Sequence, residues 1–343
     1  MFDIVSIGDL LTNYVHIGEN EKGISVYERH PAGATSNLLS QCARLGGKVA
    51  LISTVGGDID GLYLYEFIKS AGFDVSAVRV EQSLCTRSVF VYFSEGNDRY
   101  FSYNNSPVTQ YETALTDRDM ELVKNAKILN YPLSFEETDK PIFHTTSALI
   151  EAAHTHGVLT AIDANYRGQA FPEDLRKKHC ATLLDADIVK LSREELRYYF
   201  GTGDLLEGTG KVLLEGSVQL VAVTLDREGS LVRNRKGWAY MPAYAVRVVD
   251  TTGAGDSYFG SLLYQIANCG VPVSELDEAQ LCEMADFSNA CASYSAMYRG
   301  SLAIMGTMEQ VREMKLATPR NSPCGGMRQL PECAEAPHAR PSA

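Results

Sequence analysis

Residues 248–260 read VVDTTGAGDSYFG, and their order decides the fold. Two β-branched residues lead to Asp250, as at the end of a strand. The small Thr-Thr-Gly-Ala-Gly run that follows cannot continue it. From Asp256 onward Tyr258, Phe259, Leu262 and Leu263 fall at helical spacing. A strand, a glycine turn and a helix in this order set successive backbone N–H groups beside a helix N-terminus, a natural place for an anion. The acid within the turn admits two accounts. Asp256 caps its helix, or the amides of Gly253, Ala254 and Gly255 hold the negative charge that develops in phosphoryl transfer while Asp256 accepts the proton of an attacking alcohol.

Working outward, residues 3–7, 49–54, 127–130, 159–163, 188–191 and 220–224 are short runs apolar on both faces, as in buried parallel strands. Segments with helical spacing, such as 36–45, 62–71, 142–156 and 260–268, separate them. Strand alternating with helix predicts an α/β fold with a doubly wound, mostly parallel sheet whose ligands sit at the carboxyl ends of its strands. Residues 14–17, 25–30, 88–93 and 100–103 instead alternate polar and apolar side chains, as antiparallel strands wetted on one face do. They predict a small β-sheet lid, from about 12–31 and 86–106, over the pocket. The body is expected to span 1–316. The remainder, 317–343, holds five of the twelve prolines and is expected to be a disordered, dispensable tail.

Composition narrows the function classes. Against 31 Lys and Arg stand 43 Asp and Glu, a net charge of −12 with no basic stretch, so nucleic acid is not an expected partner. No basic leader with an apolar run opens the chain, and no later run approaches a membrane span, so neither a signal peptide nor a membrane is expected. The eight cysteines include no CxxC pair, which suits a reduced, cytoplasmic protein rather than a zinc site or disulfide framework.

Two rival glycine motifs fail. A dinucleotide fingerprint needs G-x-G-x-x-G, but Gly260 comes two positions too late after Gly253 and Gly255. A Walker loop needs a glycine five residues before the G-K pair and Ser or Thr after it. Gly210-Lys211 and Gly47-Lys48 have Leu205 and Cys42 at the first place and valine at the last.

The chain resembles the PfkB/ribokinase family of carbohydrate kinases, and within it bacterial fructokinases most. The resemblance rests on PAGATSNLLSQCARLGGKVALISTVGGDIDG near the amino terminus, on DTTGAGDSYFG, and on the weaker FSYNNSP, DANYRGQAF, IVKLSREEL and FSNACASYSAMYRGS, from residue 3 to about 312. It implies a ribokinase-like fold and transfer of the γ-phosphate of ATP to a sugar hydroxyl. It further implies Asp256 as general base, with the 253–255 turn as anion hole. Asp9, Asn13, Gly33, Asn37, Asn105, Asn165 and Arg167 match sugar-side positions. Lys190, Thr224, Asp226, Gly229 and Asn289 match nucleotide-side ones. Glu195, with Ser192 in place of an Asn, matches an element that orders Mg²⁺, and Asp250 and Thr252 match a loop that holds K⁺ in many members. A homodimer through the lid edge is a further expectation.

Departures from the family pattern fall on ligand-facing places. The usual Gly-Gly reads Ala32-Gly33; Asn13 stands where fructokinases carry an acid; Asn105 replaces an Arg and Gln110 an Asp; Asp226 replaces the first glycine of the nucleotide loop. Fructose is therefore the leading acceptor. Other sugars or sugar acids (2-keto-3-deoxygluconate, psicose, tagatose, a modified fructose) and a non-catalytic sugar-binding role stay open.

Overall fold

In β1 (Phe2–Ile7), Ile4 and Val5 lie on opposite faces of the sheet and neither reaches solvent, which only a sheet covered on both sides allows. The computed structural model describes residues 1–93, 99–104, 109–133, 139–166, 168 and 171–321. Its strands continue with β2 (Leu11–Glu19), β3 (Ser25–Ala32), β4 (Val49–Gly56), β5 (Val78–Glu81), β6 (Ser88–Phe93), β7 (Arg99–Tyr103), β8 (Ala126–Pro132), β9 (Leu159–Asp163), β10 (Ile188–Ser192), β11 (Leu220–Thr224), β12 (Ser230–Asn234) and β13 (Trp238–Met241). The helices are α1 (Ala34–Arg44), α2 (Ile59–Ser70), α3 (Asp117–Lys124), α4 (Pro141–His156), α5 (Glu173–Asp185), α6 (Arg193–Phe200), α7 (Leu205–Glu215), α8 (Ala254–Asn268), α9 (Glu278–Ser295) and α10 (Met308–Ala317).

Among the described residues nine strands form the main sheet, in the order β13-β12-β11-β10-β9-β8-β1-β4-β5. From β11 to β5 all neighbours are parallel, and the β12–β13 hairpin adds an antiparallel edge. Val5, Leu129, Val189 and Val221 pack on α3–α7, whereas Ile4, Ile128, Ile188 and Leu220 pack on α1, α2, α8 and α9. Each fully buried Leu or Ile contributes about 1.5–3 kcal/mol. This is the α/β architecture that the alternation of runs predicts. Among the described residues no helix is long and apolar enough to cross a membrane.

The second sheet, β3-β2-β6-β7, is the expected lid, but only β3–β2 and β6–β7 pair antiparallel as expected; β2 and β6 run parallel, because they come from separate parts of the chain and not from one hairpin. Asp60 on α2 ties three of its strands down: it accepts from Tyr14 Oη at 2.7 Å and Ser88 Oγ at 3.0 Å and pairs with Arg29 at 2.7 Å. Burial, with the Asp60 hydrogen bond, pushes the Tyr14 hydroxyl up to about 12.

Three further expectations need correction. Residues 248 and 249 form no strand; Val248 and Val249 are 57% and 53% exposed, because the chain leaves the sheet at Pro242, which has no N–H for a further ladder. The helix that follows starts at Ala254 rather than Asp256, since Gly253 already serves as its N-cap. The body also runs past 316: residues 319–321 hydrogen-bond with 243–245, because unpaired backbone groups there provide a docking edge. Residues 322–343 lie outside the described part.

Candidate active site

Helices α1 and α8 bring the two motif segments together. A Cβ on Gly260 would lie 2.3 Å from Leu38 O, so only glycine lets the two backbones approach this closely. Around that contact Ser257 Oγ donates to Gln41 Oε1 at 2.8 Å, and Asn37 Nδ2 donates to Asp256 Oδ2 at 2.8 Å. The spacing from Asn37 to Gln41 is one helical turn, so one face of α1 meets the first turn of α8. The carboxylate of Asp256 is thereby oriented by a side chain from the other motif.

The turn itself is locked by its own residues. Gly253 sits at φ 78°, a left-handed conformation that glycine adopts without a Cβ penalty. Thr252 donates to Asp250 Oδ1 through both N (2.9 Å) and Oγ1 (2.7 Å). The Ala254 amide is taken by Thr251 O at 3.2 Å. That turns Ala254 into the turn, whereas Gly255 and Asp256 hold positions in the first helical turn, where amides have no intrahelical acceptor. Behind them stands Lys190, whose Nζ lies 3.1 Å from where a Cβ of Gly255 would be.

Lys190 is buried and paired to both oxygens of Asp163 at 3.0 and 3.1 Å. Burial opposes its charge, but Asp163, Glu195 and Asp256 outweigh it and hold the ammonium above the ordinary lysine value. Glu195 accepts the amides of Ser192 and Tyr166, each at 2.5 Å, and the Glu195 N–H in turn donates to Ser192 Oγ at 3.2 Å. This is a reciprocal capping box, readable in the sequence as S-x-x-E. Burial raises the Glu195 carboxyl above its usual value, Lys190 working against it and Asp163 with it.

Two cavities flank the turn. One, of about 570 Å³, is lined by Asp9, Asn13, Gly33, Asn37, Asn165, Lys190 and Asp256, and by Asp250, Thr252, Gly253 and Gly255. Its roof is the lid, through Val89, Val91, Phe101 and Tyr103, and its far wall includes Tyr111, Tyr166 and Tyr199. Arg87, which sequence reasoning missed, reaches Asp9 at 3.8 Å and lies over the Tyr103 ring at 5.2 Å. No motif marks Arg87, because its partners come from β7 and from the loop between β1 and β2. Asp163 was also missed, although the DANYR segment contains it. Arg167 and Asn105 lie outside the described residues.

The other cavity, of about 800 Å³, is lined by Thr224, Asp226, Gly229 and Asn289 together with Ala254, Gly255 and Tyr258. Asn289 donates to Met241 O at 2.7 Å, so it also fastens α9 to β13. Asp226 adopts φ 50°, a left-handed conformation uncommon outside glycine. Its partial burial in this concave wall, with Glu194 and Glu228, raises its carboxyl above the usual range against Arg193 and Lys190. Arg193 is itself paired to Glu228 at 2.7 Å. Gly255 lines both cavities.

Two small-molecule clefts that meet at a glycine turn, with a carboxylate on one side and an ammonium behind, define a phosphotransferase with an alcohol acceptor. The chain belongs to the pfkB family of carbohydrate kinases, whose family model matches residues 1–307. It is 29% identical over 318 residues to fructokinase-1 of Oryza sativa subsp. japonica, covering 91% of this chain and 97% of that protein. An uncharacterized sugar kinase of Pyrococcus horikoshii is 30% identical, with a TM-score of 0.72 over 91% of this chain and 96% of that one; it has also been solved in complex with ATP. A fructokinase of Xylella fastidiosa, 23% identical, shares the fold with a TM-score of 0.80 over 92% of this chain and 99% of that one.

Proposed function

We propose that the protein is an ATP-dependent ketohexose kinase whose acceptor is fructose. The observation that carries this reading is the meeting of the two cavities at Gly255, with Asp256 and the lid on the smaller side. The sugar occupies the 570 Å³ cavity, and the nucleotide the 800 Å³ one. Asp256, oriented by Asn37, takes the proton of the acceptor hydroxyl as that oxygen attacks the γ-phosphorus. The first-turn amides of α8 and the Lys190 ammonium stabilise the charge on the transferred group. Lid closure, anchored at Asp60, keeps water from taking the acceptor's place. The fructokinase relatives support the choice of sugar.

The residues fit a Mg²⁺ that arrives with the nucleotide rather than one caged by protein. Both oxygens of Glu195 are engaged by amides and Asp163 by Lys190, and among the described residues no group of three acidic, His or Cys side chains gathers. Bound with ATP, the ion would neutralise charge on the β- and γ-phosphates. We assign a monovalent cation to the 250–252 loop beside the turn; replacing K⁺ by tetramethylammonium in the assay tests it. We place a homodimer contact on the edge strand β7, whose Tyr100 is 59% exposed and does not line the cavity; light scattering reads it directly.

A coupled ADP-release assay over fructose, ribose, tagatose, psicose and 2-keto-3-deoxygluconate tests the activity. Fructose with the highest kcat/KM supports the reading, and a different best sugar moves specificity to Asn13 and its neighbours. Heat of sugar binding without ADP release from any sugar defeats catalysis altogether.

A further inference from the structure

We propose that the short strap at 318–321 is a positioning element of the larger cavity, holding the turn at Asp226–Glu228 against the wall at 243–245. The inference rests on the nucleotide reading of that cavity. After α10 the chain turns back along this wall. Ala245 N donates to Pro319 O at 2.8 Å, Asn321 N donates to Ala243 O at 2.9 Å, and Tyr244 and Arg320 face each other in an antiparallel bridge. Ala243 and Tyr244 are buried, so the strap both pairs and helps cover this stretch of the wall.

An ionic anchor fixes the strap from beneath. Asp286 on α9, 8% exposed, accepts from Arg320 Nη2 at 2.7 Å, Lys315 Nζ at 2.7 Å and Tyr244 Oη at 2.9 Å. The Arg320 guanidinium also lies 5.7 Å from the centre of the Tyr244 ring. From this anchored base Asn321 reaches forward: its Nδ2 donates to Arg227 O at 2.8 Å. Asn321 thus joins two segments of the wall that are remote in sequence. Arg227, Ala243, Tyr244 and Asn321 all line the 800 Å³ cavity, and no strap residue lines the 570 Å³ one. A loosened strap frees the 226–228 turn, which already holds Asp226 in a conformation unusual outside glycine.

The test is calorimetric titration with Mg²⁺·AMP-PNP, alongside KM for ATP and for the sugar and a circular-dichroism melt. It uses the full chain, Asn321→Ala in the full chain, and chains ended after Asn321 or after Ala317. One lost hydrogen bond in Asn321→Ala is expected to weaken nucleotide binding about 2- to 5-fold. The chain ended after Ala317 should lose about 10-fold or more, as it also forfeits the backbone pairing and the Arg320 anchor. The chain ended after Asn321 should match the full chain, and sugar KM should stay within about twofold throughout. Unchanged nucleotide affinity in Asn321→Ala, or sugar KM rising in step with nucleotide Kd, overturns the proposal; the point variant decides alone if the shortest chain does not fold. A full chain that binds no AMP-PNP overturns the nucleotide reading as well, an outcome distinct from binding that the variants leave untouched.

Discussion

Asn37 Nδ2 donates to Asp256 Oδ2 at 2.8 Å although 219 positions separate them. A charged carboxylate that accepts an amide N–H is held in one orientation, and a proton acceptor in general base catalysis must be aimed before it is basic. The donor comes from α1 and the acceptor from α8, so the closeness of those helices at Gly260 sets the aim of the base.

Asp256→Asn keeps the size of the side chain and removes its basicity. We expect kcat to fall about 10²- to 10⁴-fold, with sugar KM within about twofold. Steady-state kinetics with fructose and ATP check it, and near-normal turnover would show that the base lies elsewhere.

Lys190→Met leaves Asp163 charged in a site where its side chain is only 14% exposed, and it removes the cation beside Gly255. Unfolding free energy should drop by about 3 kcal/mol, and kcat by about 10²-fold or more, measured by denaturant titration and kinetics. The folded lysine value lies above the unfolded one, so the stability that Lys190 contributes is not lost by its own titration below about pH 10 and fades only as pH rises through the folded value. The alkaline limb of a rate profile between pH 6 and 9 should therefore not belong to Lys190.

Asp226→Asn retains a residue that tolerates positive φ while removing a charge from the larger cavity's wall. ATP KM should fall about 2- to 5-fold at pH 8, as the like-charge repulsion of phosphates is relieved. The wild-type carboxyl titrates above the usual carboxylate range, so its repulsion is present above that value and disappears below it. The ratio of wild-type to variant KM should shrink toward one as pH is lowered; a ratio flat in pH would assign the effect to shape instead of charge.

Asp60→Ala unties three lid strands at once, because Tyr14, Ser88 and Arg29 lose their common acceptor. Sugar KM should rise about 10-fold, and ATP hydrolysis without sugar should increase relative to transfer as water gains entry. ATP KM should hold within about twofold, since no lid residue lines the larger cavity. An equal rise in both KM values would point to general loosening.

Much of this was legible in the chain itself. Runs apolar on both faces can be buried only in a covered parallel sheet, and period-two runs only in a sheet wet on one side, so the body and the lid were both readable. The glycine turn was readable because few other residues allow its backbone. Val248 and Val249 were misread because β propensity is local, whereas a strand needs a free neighbouring edge, and Pro242 ends the ladder. Arg87 carries no motif, and the motif that contains Asp60 does not reveal its role, since the partners of both lie on other elements. The strap at 318–321 looked like tail because its proline and polar residues bury little apolar surface; it is held by hydrogen bonds and by Asp286, and those exist only once α9, α10 and the wall are in place. Sequence settles what each segment is able to form, because backbone preference and side-chain period are local properties. Which carboxylate is aimed by which amide, and where two clefts meet, belongs to the tertiary structure, because only packing sets distances between residues far apart along the chain.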